Sequence, residues 1–173
     1  MKKNQGKRVA VLAIAALTLG LSAATAHDRH NREEVIRAVL LGVNETPSVS
    51  TPAVGKFRAV IDEDSQIINF TLTYEGLSGS PTVSHLHFGQ KHVMGGVMMW
   101  ICGGGGQPAC PMGTSGEIVG TITPANVTGP AVQGIAAGEF AEALAAIRAG
   151  ASYCNLHSAM FPPGEIRGQV SSH

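Results

Sequence analysis

The sequence predicts a mainly β protein, an antiparallel Greek-key β-sandwich or barrel of about eight strands with one short helix near residues 139–149. Three observations predict it. Apolar residues recur with a period of two in segment after segment. Turn-forming runs, "NETPSVSTP", "DEDS", "GLSGSP" and "GQK", separate those segments. A single stretch, "GEFAEALAAIRAG", carries a convincing helical period.

The chain opens on what reads as an export signal. Lys2, Lys3, Lys7 and Arg8 form a basic start, Val9 to Leu21 is an apolar run, and Ala24-Thr25-Ala26 has the small-x-small form of a cleavage site. The apolar run is short of the ~20 residues that span a bilayer. The expected organisation is a signal peptide over 1–26, a solvated leader "HDRHNREE" over 27–34, and one domain over 35–173. Cleavage leaves 147 residues with 8 Lys and Arg against 12 Asp and Glu, a net charge of −4. No basic patch remains, so nucleic acid is not an expected partner, and no later segment suggests a membrane span.

Within the domain, Val35–Leu41 and Val97–Ile101 are more continuously apolar than the alternating segments. They suit strands covered on both faces or turns of helix, and period alone does not separate the two. In "GKFRAVID" Phe57, Ala59 and Ile61 share a face, and in "IINFTLTY" Ile68, Phe70, Leu72 and Tyr74 do the same. "GEIVGTIT" places Ile118 and Ile122 together. In the helix, Phe140, Leu144 and Ile147 form one face, Glu139 and Glu142 open it, Arg148 closes it and Gly150 stands at C′.

The same alternation sorts the histidines. In "TVSHLHF" Val83, His85 and His87 project to one side, while Leu86 and Phe88 are the core candidates. In "YCNLHS" Tyr153, Asn155 and His157 face one way, and in "GEIRGQV" Glu165, Arg167 and Gln169 do. If these strands are neighbours, His85, His87 and His157 form a candidate metal-ligand set, supported by Glu165 and Arg167. His92 reads as a solvated loop residue.

Three cysteines lie in the domain. Cys102 and Cys110 flank "GGGGQPA" and are expected to form a disulfide worth roughly 2–3 kcal/mol, with the glycines as slack inside the ring. Cys154 is left as a buried thiol. Met94, Met98, Met99, Met112 and Met160 offer soft thioethers that select Cu(I), although packing is the simpler role for each. "GGGG" is not followed by Lys-Ser/Thr and is no phosphate loop, and no nucleophile-elbow pattern occurs. Cleavage after Ala26 would expose His27 as an amino terminus near His30, read here as part of a tail.

"NETPSVSTPAVGKFRAVID", "LTYEGLSGSPTVSHLHFG", "GTITPANV" and "YCNLHSAMFPPGEIRGQV" together resemble the CHRD (chordin-domain) family, from about Val39 to Val170. That resemblance implies an exported β-domain, secreted or periplasmic. The family includes the repeats of animal chordins, extracellular antagonists of bone morphogenetic proteins, and many exported microbial proteins. A second resemblance is to copper/zinc superoxide dismutases, which carry an H-x-H strand, a later strand ending in His and a final "GxR" strand. It implies copper ligands at His85, His87 and His157 and an anion-guiding role for Arg167. No counterpart of that family's bridging histidine or zinc loop is present.

Three functional expectations follow. The leading one is an exported binding module, not an enzyme, with a histidine-centred surface site for copper or zinc. The second is a dismutase-like copper enzyme in which Arg167 acts on the substrate. The third is an interaction module whose polar face meets a protein or glycan without metal.

Overall fold

The structure is a computed structural model, and it describes residues 33–172. Among the described residues nine strands and one α-helix follow one another, with short 3-10 turns between some of them: β1 (Glu34–Leu41), β2 (Val54–Asp62), β3 (Ile67–Glu75), β4 (Pro81–Phe88), β5 (Gly96–Cys102), β6 (Gly116–Ile122), α1 (Phe140–Arg148), β7 (Ser152–Ser158), β8 (Ile166–Gln169) and β9 (Ser171–Ser172). The expected signal peptide and nearly all of the leader, with His27 and His30, lie outside the described residues. The leader is one residue too long, because Glu34 already begins β1 and pairs with Ile61.

The strands form one antiparallel sheet in the order β5-β4-β7-β8-β1-β2-β3-β6, with β9 added against β1. The chain crosses from β3 to β4 at the far side of the sheet and returns from β5 to β6. The sheet curls until its two ends approach, and Ile101 and Cys102 of β5 line one groove of about 400 Å³ with Glu117–Thr121 of β6. The result is a nearly closed barrel of the expected class. Val97–Ile101, ambiguous by period, lies in strand β5.

The interior is built by the alternation. Phe57 faces Leu72, Ala59 faces Phe70 and Ile61 faces Ile68 across β2 and β3, and all six are buried. Each large apolar side chain so buried contributes roughly 1.5–3 kcal/mol. Helix α1 lies against the barrel through Phe140, Leu144 and Ile147. It ends in a Schellman motif, with Gly150 at φ 69° and the bonds Gly150 N–H to Ile147 O (3.0 Å) and Ala151 N–H to Ala146 O (3.0 Å). Arg148 fastens it to Glu34 (2.6 Å) and Glu63 (2.7 Å). Among the described residues no helix is long and apolar enough to cross a membrane.

Candidate metal centre

Strand register brings the histidines together. β4 and β7 pair His85 with Asn155, His87 with Tyr153 and Val83 with His157. On the other side of β4, His85 faces Trp100 of β5, and beyond β7, Asn155 faces Arg167 of β8. All these side chains emerge on the face opposite the barrel core, where Leu86, Cys154 and Leu156 lie. The His85 ring centroid is 5.2 Å from that of His87 and 5.1 Å from that of His157. One ring nitrogen from each of the three lies within 4.8 Å of the other two.

The cluster is not on the surface, contrary to the sequence expectation. His85, His87 and His157 are 5%, 8% and 9% exposed. Alternation marks which face a residue takes, but not whether that face meets water. Here loops fold over it, and β7 is buried along its whole length. The β4–β5 loop supplies the Gly95 carbonyl, which accepts from His87 Nδ1 (2.9 Å). The β7–β8 loop supplies the Pro162 carbonyl, which accepts from His157 Nδ1 (2.7 Å). In the neutral imidazoles these two bonds place the proton on Nδ1 and leave Nε2 as a bare lone pair. Among the described residues, His157 Nε2 and both ring nitrogens of His85 have no hydrogen-bond partner. His87 Nε2 lies 3.1 Å from the Asn155 side-chain oxygen, and a half-turn of that amide would present its NH2 to the nitrogen.

Burial keeps the three rings uncharged. It pushes His85 down to about 3, helped by His87 and His157 beside it. It pushes His87 down to about 4 against the Gly95 hydrogen bond, and it lowers His157. Neutral imidazoles with free lone pairs are the form that binds a transition metal.

Tyr153 stacks on His87 at 4.6 Å and 4°, and the Arg167 guanidinium lies 3.4 Å from the centre of the same tyrosine ring. Two planes this close to one ring must occupy its opposite faces, so Tyr153 stands between the histidine and the cation. Trp100 stands perpendicular to His85, with ring centroids 4.3 Å apart. The indole is overlaid by the glycine run. A Cβ built on Gly104 or Gly105 would fall 2.4 or 2.1 Å from its ring. Gly104 and Gly105 are therefore not slack, as expected from sequence, but a backbone seat for Trp100. The Cys102–Cys110 disulfide closes that loop, as expected, and Asn126 Nδ2 donates to Gly105 O (3.0 Å).

The two residues expected to support the histidines behave differently. Arg167 is 3% exposed and donates to the carbonyls of Gln90 (3.0 Å) and Val93 (2.8 Å). Its guanidinium clamps the β4–β5 loop rather than facing an open anion path. Glu165 is fully buried elsewhere. Oε1 accepts from Thr51 Oγ1 (2.7 Å), Ser78 N–H (2.9 Å) and Ser78 Oγ (2.8 Å), and Oε2 accepts from Ser158 Oγ. Burial opposes its charge, but these donors outweigh it and hold the carboxyl below its usual range. Among the described residues Glu165 thus pairs with no arginine. It precedes β8 in a turn, where strand alternation no longer applies.

Cys154 is a free, buried thiol, pushed up to about 12 chiefly by burial. Met98 and Met99 pack in the core, whereas Met94, Met112 and Met160 are exposed and pack little. His92 is exposed in its loop. Sequence reading passed over Trp100, Asn155 and Tyr153 as participants. The usable signal for Trp100 was a lone tryptophan three residues before a glycine run. It also passed over Glu45, a buried carboxyl with Oε1 unpartnered, raised to about 7 by burial despite the Arg167 charge and the Thr46 N–H.

A one-sheet β-barrel with a buried three-histidine cluster beneath its outer loops defines a β-domain with a candidate metal centre. Its sequence matches the CHRD domain model over residues 36–170, and the chain belongs to the CHRD-domain family. No curated protein and no solved structure matched the chain. The family and the disulfide are consistent with an extracellular protein.

Proposed function

We propose that this is an exported CHRD-domain binding protein whose ligand is a transition metal of the copper or zinc type, held by His85, His87 and His157. One observation carries the reading. Among the described residues, ring nitrogens of His85 on β4 and His157 on β7 converge buried with no hydrogen-bond partner, His87 Nε2 beside them meets only the Asn155 amide, and the Nδ1 atoms of His87 and His157 are fixed by carbonyl acceptors. A buried polar atom left unpaired costs roughly 1–3 kcal/mol, so a cluster of them in a well-packed fold points to a missing ligand. A metal–nitrogen bond of about 2.0–2.1 Å requires the nitrogens to close to about 3.5 Å, a movement within reach of small ring rotations.

The protein purified from its native compartment should contain about one equivalent of metal by elemental analysis. His85→Ala and His157→Ala should each lose it while keeping the fold. Wild type free of bound metal after mild purification, and unable to take up copper or zinc when either is added, would remove the reading in favour of a metal-free interaction module. Copper-dependent superoxide consumption lost in His87→Ala would instead favour the enzyme. Arg167, with its donors engaged by loop carbonyls, supports the binding role over that one.

A further inference from the structure

We infer that the three-histidine centre selects a soft monovalent cation, Cu(I), over Zn(II) and Cu(II); the inference rests on the metal reading above and concerns the charge and coordination number of the ion.

The donor set is neutral. Both carboxylates that might have joined it lie elsewhere. Glu165 is surrounded by the hydroxyls of Thr51, Ser78 and Ser158, and the hydrogen bonds of the three imidazoles go to Gly95, Asn155 and Pro162 and not to Glu45. The fixed charge nearest the cluster is positive, the Arg167 guanidinium stacked on Tyr153 behind His87. A dication would bring two uncompensated charges into a site of low exposure that already faces a cation; a monocation brings one.

Coordination number points the same way. Zn(II) in protein sites takes four ligands, and Cu(II) favours tetragonal sets, so three imidazoles oblige either ion to recruit water. The walls of this site work against that. The Trp100 ring stands perpendicular against His85, Tyr153 covers a face of His87, and the Asn155 amide stands at His87 Nε2. Trp100 is fixed in place, because the backbone of Gly104 and Gly105 rests on its ring and the disulfide closes that loop. A closed-shell monovalent ion accepts three nitrogen donors without a water.

The test uses the full chain, stripped of metal by a chelator. Cu(I), kept reduced with hydroxylamine so that the disulfide stays intact, is titrated against a chromophoric chelator. Ag(I), Zn(II) and Cu(II) are titrated separately. Trp100, the only tryptophan, reports occupancy in the wild type. One Cu(I) or Ag(I) per chain should bind roughly a hundredfold or more tighter than Zn(II), and binding should be lost in His157→Ala. Zn(II) or Cu(II) binding as tightly as Cu(I) at the same histidines overturns the selectivity and leaves the metal reading standing. Failure of every ion to bind, or binding that survives His157→Ala, overturns the metal reading itself. Trp100→Ala, read by chelator competition, should narrow the Cu(I)/Zn(II) ratio at least tenfold, whereas Trp100→Phe should preserve most of it. A ratio unchanged in a folded Trp100→Ala overturns the role of the indole wall.

Discussion

Replacing Glu45 with glutamine should convert a pH-dependent part of the stability into a pH-independent one. Glu45 is 7% exposed, and burial raises its carboxyl from 4.5 to about 7. A carboxyl raised on folding contributes stability in full below its unfolded value, and that contribution fades as pH rises through about 7. Between pH 5.0 and 7.5 the native and unfolded chains differ by roughly 1.8 pH units of integrated protonation, or about 2 kcal/mol at 1.36 kcal/mol per unit. The wild-type stability minus that of Glu45→Gln should therefore fall by about 2 kcal/mol over this interval. Guanidinium unfolding of both metal-free proteins at the two pH values, followed by Trp100 fluorescence, measures it. The histidines titrate in both proteins and cancel in the difference. A difference that stays flat would show that the carboxyl is not raised. One that grows with pH would show that Glu45 is ionised and paired with Arg167, and either outcome refutes the reasoning.

Further outcomes concern the same loops and the cluster they cover. The metal-free chain should lose stability as pH falls from about 6.5 towards 4, because His85, His87 and His157 are held below their usual value and the unfolded chain takes up protons first; bound metal should shift that acid transition downward. Glu165→Ala should destabilise by about 3 kcal/mol or more, since it strands the donors of Thr51, Ser78 and Ser158 at once, and a loss below about 1 kcal/mol in chemical denaturation would contradict that role. Gly105→Ala places a methyl on the Trp100 ring at a position of φ 57°, so it should shift tryptophan emission to the red and weaken metal binding without breaking the disulfide. Gly164→Ala should be similarly poorly tolerated, because its Cβ would lie 2.5 Å from Glu45 Oε1 at φ 133°; unchanged thermal unfolding would count against the Glu45 placement.

The barrel wall, the helix and the sorting of histidines from core residues were legible in the residue pattern. Those features are local. Period two in Phe57–Ile61 and Ile68–Tyr74 states which side chains share a face, and Gly150 after Arg148 states where a helix stops. The close spacing of Cys102 and Cys110 made their pairing legible for the same reason. What lies above the outer face was not legible, because it is supplied by distant segments. The Gly95 and Pro162 carbonyls orient His87 and His157, and no side-chain pattern announces a carbonyl. The glycine run looked like slack because its reason, the ring of Trp100, lies across a turn. Glu165 and Arg167 share a phase in the sequence yet serve different loops, because the turn before β8 ends the alternation between them. The burial of the histidine face comes from segments far away in the chain. Exposure depends on which loops cross a strand, and long-range packing sets that, whereas the periodicity of the strand does not.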